Sequence, residues 1–79
     1  MKLPRDLSGR SLAGLLVQRW DYRMVHQTGS HIILDTKTPS PQRLSIPDHR
    51  VLRIGTLSGI LRAVAHHKAV TREDILGTR

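Results

Sequence analysis

One histidine of this chain, His31, follows a Gly29–Ser30 pair and opens the apolar run Ile32–Leu34. An imidazole titrates near neutral pH, so a histidine at a fixed, exposed position is suited to take up or release a proton during a reaction. Gly29 reaches a positive φ without steric penalty, which predicts a two-residue hairpin turn of type II′ or type I′. With either turn, strand alternation places His26 and His31 on the same face, whereas a three-residue loop would separate them.

The size and charge of the chain limit what such a histidine can act on. The chain has 79 residues, which is enough for one domain with a small core. Its formal charge is +7, and arginine supplies ten of the thirteen cationic residues. Because the arginine fork matches a phosphate bidentately, this composition favours a nucleic-acid backbone as the partner. An acidic protein is the alternative partner that the charge allows.

Composition also disfavours several classes of function. The chain has no cysteine, which excludes disulfides, thiolate zinc sites and a cysteine nucleophile. No apolar segment approaches the ~18 residues of a membrane span and no signal-peptide pattern is present, so we expect a cytoplasmic protein that does not use a membrane. The adjacent His66 and His67 cannot easily face one ion from a helix, so we expect no metal and no other cofactor.

Hydrophobic periodicity predicts a helix, three strands and a second helix, in that order. Residues 1–7 lack periodicity and are expected to form a frayed or extended arm. Ser8 is suited to cap a first helix that ends near Trp20, and Gly14 within it is expected to allow the close approach of a neighbour. We expect Trp20 and Tyr22 to lie at the edge of the core rather than to stack on bases.

The remaining elements are predicted from alternation, turn residues and capping residues. The predicted strands are Tyr22–Gln27, His31–Thr36 and Arg43–Ile46. Thr56 is expected to cap a second helix that ends near His66 and His67. Its apolar face contains Leu57, Ile60, Leu61 and Val64. A final turn is predicted at Thr71, which precedes an acidic residue by three positions.

These elements predict an α+β fold of the order α-β-β-β-α. In this fold a three-stranded antiparallel sheet carries both helices on one face, because each helix has a single apolar stripe to bury. The other face of the sheet is left open. An accessible face beside clustered arginine residues is where such a domain can receive an RNA backbone or a partner chain.

Several stretches together resemble the HicA toxin family, the small mRNA interferases of HicA–HicB toxin–antitoxin pairs. The resemblance extends over nearly the whole chain, although no single stretch is specific alone. The stretches are a Leu-Ser-Gly helix start, an aromatic-led strand, Gly29-Ser30-His31, Ile46-Pro47-Asp48-His49 and the segment 55–61, which reads Gly-Thr-Leu-Ser-Gly-Ile-Leu.

The resemblance implies a fold like that of double-stranded-RNA-binding domains, ribosome-independent cleavage of mRNA, and neutralisation by a HicB antitoxin that covers the active site. It also implies that His31, the histidine of the family's Gly-Ser-His motif, is catalytic. Members of the family often carry basic residues before the glycine, whereas this chain has His26 and Thr28 there. This difference lowers the local positive charge.

RNA cleavage of this kind needs a base near neutral pKa that removes the proton of a 2′-hydroxyl, and His31 can act as that base or as the matching acid. The charge that develops on the phosphate requires donors, for which the candidates are Arg23, Arg43 and the backbone amides of Gly29 and Ser30. His26 or His49 is the candidate for the second proton transfer. The alternative function for the same fold and charge is a non-catalytic RNA-binding module or adaptor.

Overall fold

A computed structural model describes residues 2–79, and this part of the chain contains three helices and one sheet. The elements are α1 (Gly9–Arg19), β1 (Arg23–Thr28), β2 (His31–Thr36), β3 (Gln42–Pro47), α2 (Ile54–Lys68) and the short α3 (Arg72–Leu76). The order α-β-β-β-α and the α+β class agree with the prediction. None of the helices within residues 2–79 has the length and apolar character that crossing a membrane requires.

The three strands form one antiparallel sheet in the order β1-β2-β3. One face is buried against the helices through Ile32 and Leu34 of β2 and Leu44 and Ile46 of β3. We call the opposite, uncovered side the open face. From the register it carries Arg23, His26, Thr28, His31, Ile33, Asp35, Arg43, Ser45 and Pro47. The sheet therefore has one face buried against the helices and one face that no helix covers.

The first helix begins where the sequence predicts. The Ser8 side chain accepts a hydrogen bond from the Ser11 backbone N–H at 3.0 Å, which satisfies one of the free donors at the helix start. The helix buries Leu12, Leu15 and Leu16 on the core and ends at Arg19. Its length and its buried stripe confirm the periodicity argument.

The second helix begins earlier than predicted. It starts at Ile54 with Arg53 as its N-cap, and no side chain caps it, so Thr56 lies inside the first turn. Capping by Thr56 was expected because its hydroxyl suits that role, but Arg53 already has the extended backbone of a cap. The helix ends at Lys68, one residue beyond the predicted His66–His67, where Ala69 adopts a left-handed conformation.

The start of α3 and the two aromatic residues near the end of α1 were also predicted from the sequence. Thr71 and Asp74 form a reciprocal capping box at the start of α3, as predicted. Tyr22 is buried within the core. Trp20 is half-buried, packs against the core and donates from Nε1 to the Thr78 Oγ1 at 3.0 Å.

The segment before α1 is attached to the domain rather than frayed at its inner end. Leu7 is buried, and its carbonyl accepts a hydrogen bond from the Leu52 N–H at 2.8 Å. Leu3 also packs against the core. The expectation of a frayed or extended arm is therefore wrong at its inner end, because Leu3 and Leu7 contribute to the core. Met1, its first residue, lies outside the described residues.

Candidate active site

His31 is the first residue of β2 and lies exposed at the end of the open face. It is paired with Thr28 across a two-residue turn, and Gly29 in that turn has a φ of 48°. This is the two-residue loop predicted from the glycine, and the left-handed backbone at Gly29 is one that larger residues rarely adopt. The turn therefore fixes the backbone position from which the imidazole projects at the rim of the sheet.

Two polar groups lie beside this imidazole. The Ser30 hydroxyl is 3.3 Å from the His31 Nδ1, with the direction of the hydrogen bond set by the tautomer. His26 pairs with Ile33 on the same face, which makes it the diagonal neighbour of His31 at a typical separation of about 7–8 Å. The prediction that both histidines share one face is confirmed. The two-residue turn sets this register, and a shift between Met24 and His26 changes the pairing only of the residues farther from the turn.

The turn also presents two backbone donors. Within residues 2–79, the amides of Gly29 and Ser30 donate no hydrogen bond to another backbone group. Adjacent N–H groups in a turn form a concave site that attracts anions. An oxygen of a phosphate that reaches His31 therefore has donors within the same turn.

The segment after β3 is attached to this turn by Asp48. Its backbone N–H donates to the Ser30 carbonyl at 2.7 Å, and its carboxylate accepts from the Gln27 Nε2 at 3.0 Å. Arg10 donates to both carboxylate oxygens, from Nε at 3.0 Å and from Nη2 at 3.2 Å. Hydrogen bonding to the Arg10 guanidinium is the main reason that the pKa of Asp48 is lowered. Because these bonds place Asp48 against the turn, the next residue, the exposed His49, lies near the turn as well.

Sequence reasoning did not identify Arg10 and Gln27 as parts of the site, and it noticed Asp48 only within a longer motif. Arg10 lies on α1, 38 positions from Asp48, so no local pattern could have indicated the pair. The one local feature beside Arg10 is Gly9, and in the structure an added Cβ at Gly9 would lie 1.9 Å from the Pro47 carbonyl oxygen. A glycine at the start of a helix, next to an arginine, is consistent with close contact to another segment.

Arg23 and Arg43 share the open face with His31 but lie at its other end. They flank Asp35, which is four residues along β2 from His31, or about 13 Å at ~3.3 Å per residue. Arg43 donates to the Asp35 carboxylate from Nε at 2.7 Å and from Nη2 at 2.9 Å. The structure therefore brings together His31, the turn, His26 and the segment of His49, and it holds the two arginines apart from them.

Within residues 2–79, no group of three or more His, Cys, Asp or Glu side chains is arranged to hold a metal ion. The chemistry available at the turn is proton transfer by imidazole, with backbone amides as anion donors. Comparison of the chain with models of protein families, with curated proteins and with solved structures gives no match.

Proposed function

We propose that this chain is an mRNA endoribonuclease of the toxin type, acting in the cytoplasm without a metal ion, with His31 as its proton-transfer group. The observation that carries the proposal is the exposed imidazole at the end of the uncovered sheet face, beside two turn amides without backbone partners. The resemblance of the sequence motifs to HicA toxins supports the same activity.

The proposed reaction is a transesterification. His31 takes the proton of a 2′-hydroxyl, the freed oxygen attacks the adjacent phosphorus, and the 5′-oxygen leaves with a proton from a second group. His26, its diagonal neighbour on the open face, and His49 are the candidates for that group. The amides of Gly29 and Ser30 would donate to the phosphate oxygens as their charge grows. The products are a 2′,3′-cyclic phosphate and a 5′-hydroxyl.

The distribution of charge supports RNA as the substrate. Among residues 2–79, the ion pairs are Arg10–Asp48 and Arg43–Asp35, so most of the thirteen cationic side chains carry uncompensated charge. Such a surface binds a phosphate backbone through the release of counterions. An acidic or mixed-charge protein, of the HicB antitoxin kind, would compete for the same surface and cover His31.

Cleavage of RNA by the purified protein tests this proposal. We expect the native protein and His66→Ala, which removes an exposed histidine on α2, to cleave single-stranded RNA in EDTA and to leave cyclic-phosphate ends. We expect His31→Ala to lose cleavage while its melting temperature stays the same, because substitutions at exposed positions usually change stability by less than ~0.5 kcal/mol.

Two further measurements complete the test. Replacement of the ribose at the cleaved position by 2′-deoxyribose should stop the reaction, because the attacking oxygen is then missing. Expression of His31→Ala should no longer arrest growth. A native protein that shifts RNA on a gel but never cleaves it would support the alternative function, a non-catalytic RNA-binding module. Cleavage by His31→Ala would contradict the assigned role of the imidazole.

A further inference from the structure

A groove of about 850 Å³ lies at the end of the sheet opposite the Gly29–Ser30 turn. The residues that line it include Arg23, Asp35, Lys37, Thr38 and Arg43. Three of these, Arg23, Asp35 and Arg43, form one row across the open face. The groove is therefore continuous with the face that ends at His31. The mechanism proposed above does not use it.

Cations outnumber carboxylates in this groove. The lining contains Arg23, Lys37 and Arg43 against Asp21 and Asp35. Both carboxylates are already engaged, since Asp21 accepts a hydrogen bond from the Thr38 hydroxyl and Asp35 accepts two from Arg43. Arg23 and Lys37 are exposed and form no ion pair within residues 2–79. They are available to an anionic ligand.

A further positive charge lies behind the groove. The Lys68 ammonium donates to the Thr36 Oγ1 at 2.9 Å and to the Thr38 carbonyl at 2.6 Å, and it lies 4.8 Å from the centre of the Tyr22 ring. Desolvation lowers its pKa. With Lys68 included, the groove carries two positive charges in excess of its carboxylates. This excess is enough to balance two phosphate groups.

Arg43 is held in place for such a contact. Of the five N–H donors of a guanidinium, two are directed to Asp35, and the others remain available. An arginine that is fixed by a carboxylate loses less side-chain freedom when it binds a second anion. The pair therefore presents donors at a defined position rather than a flexible charge.

We propose that this groove is a distal subsite that binds the phosphate backbone of the RNA strand whose scissile phosphate lies at His31. This inference rests on the proposed function. The separation of about 13 Å along β2 corresponds to on the order of four stacked nucleotides at ~3.4 Å each, and to fewer in an extended strand. A substrate must therefore exceed a minimum length to occupy both ends of the open face.

The dependence of RNA affinity on oligonucleotide length tests the subsite. The variant Arg23→Gln/Lys37→Gln is made in the non-cleaving His31→Ala protein, and Arg62→Gln, at an exposed position on α2, is the control for lost charge. The probes are single-stranded RNA oligonucleotides of two and of ten nucleotides. The ten-nucleotide probe should bind the double variant more weakly, with a salt slope lower by about 1.4, since each lost phosphate contact removes ~0.7. The two-nucleotide probe, which reaches one end only, should lose far less.

Cleavage measurements separate this proposal from the assignment of His31. In the protein with His31 intact, the double variant should raise KM for the long RNA far more than it lowers kcat, because Arg23 and Lys37 line the groove at the end of the sheet opposite the turn. An equal loss of affinity for both probe lengths, or an equal effect of Arg62→Gln, would overturn the subsite. If length-dependent binding is found but no RNA is cleaved, the proposed endoribonuclease activity fails and the subsite stands.

Discussion

Gly9 is the residue at which α1 touches the segment that leads from β3 to His49. Its N–H donates to the His49 carbonyl at 2.9 Å, and an added Cβ would lie 1.9 Å from the Pro47 carbonyl oxygen. The contact is between backbones, so no side-chain rotation can relieve the overlap. At Gly14, in the same helix, no atom outside the local helix backbone lies within 4 Å of the position of an added Cβ.

We predict opposite effects for alanine at these two glycines. Gly9→Ala should lower the free energy of unfolding by ~1–3 kcal/mol, because the added methyl forces the backbone of α1 away from Pro47. Gly14→Ala should raise it by ~0.5–1 kcal/mol, because alanine loses less backbone entropy than glycine in a helix. Urea unfolding of both variants measures the difference. If both substitutions stabilise the protein, the close contact at Gly9 is absent in solution.

For single residues, the sequence predicted the geometry of the Gly29–Ser30 hairpin but not the contact between α1 and Pro47. The two-residue turn and the shared face of His26 and His31 follow from a glycine and from strand alternation, which are both local. The expectation that Gly14 allows a close approach was wrong, since that role belongs to Gly9. Pro47, which Gly9 contacts, is 38 residues away in sequence. Hydrophobic periodicity does not indicate which turn of a helix contacts so distant a segment.

Asp48 connects α1, β1 and the turn of the candidate active site. Arg10 belongs to α1, Gln27 to β1 and Ser30 to the turn, and each shares a hydrogen bond with Asp48. Arg10 and Gln27 donate to the Asp48 carboxylate, whereas the Ser30 carbonyl accepts from the Asp48 backbone N–H. The charge of one side chain therefore contributes to the relative position of three segments.

This connection should make stability depend on pH. The folded-state pKa of Asp48 is lowered from its ordinary value, chiefly by its hydrogen bonds to Arg10, so its contribution is present above pH 4 and is lost as the pH falls through the lowered pKa. We expect Asp48→Asn to be less stable than the native protein at pH 6 and equally stable at acid pH. Asp6→Asn, at an exposed carboxylate without an ion pair, is the control.

Thermal unfolding of the three proteins between pH 2 and pH 7 measures this effect. A carboxyl NMR titration of the native protein gives the pKa of Asp48 directly. If the difference between Asp48→Asn and the native protein is the same at every pH, the interaction with Arg10 does not depend on charge. An Asp6→Asn variant with the same pH dependence would show that the effect is not specific to Asp48.

The elements themselves were predictable because they follow from local patterns. Capping at Ser8 and the capping box at Thr71 agree with the structure. The start of α2 was placed too late because Thr56 has the side chain of a cap, whereas the structure begins the helix at Ile54 without any side-chain bond. A helix start that tertiary packing fixes, rather than a side chain, leaves no signal in the local sequence.

At the scale of the whole molecule, the candidate active site and the groove occupy one face. The domain measures 31 by 30 by 19 Å, and His31 and Asp35 lie about 13 Å apart along β2. A protein interface of standard size covers about 800 Å² on each partner, which is wide enough to span both ends of this face. A partner of that size that spans the open face would cover His31 and also exclude RNA from the groove.

We predict that the protein is held inactive by an acidic or mixed-charge partner that covers His31. A domain with a net charge of +7, and with most of its cations unpaired within residues 2–79, would attract RNA unless another anion competed for the same surface. Carboxylates of a partner would neutralise the surface while its backbone blocks the turn at Gly29 and Ser30. We expect co-expression with the product of the neighbouring gene to give a complex that does not cleave RNA.

Acylation of histidine by diethyl pyrocarbonate tests this occlusion within a single sample. His31 and His66 are both exposed in the isolated protein, but His31 lies at the uncovered sheet face and His66 lies on α2, behind the sheet. The complex should therefore slow the acylation of His31 several-fold and leave that of His66 unchanged, as read by mass spectrometry of peptides. Equal protection of both histidines would point to a general effect of complex formation. A complex that still cleaves RNA at the rate of the free protein, with His31 fully reactive, would show that inhibition by occlusion is the wrong mechanism.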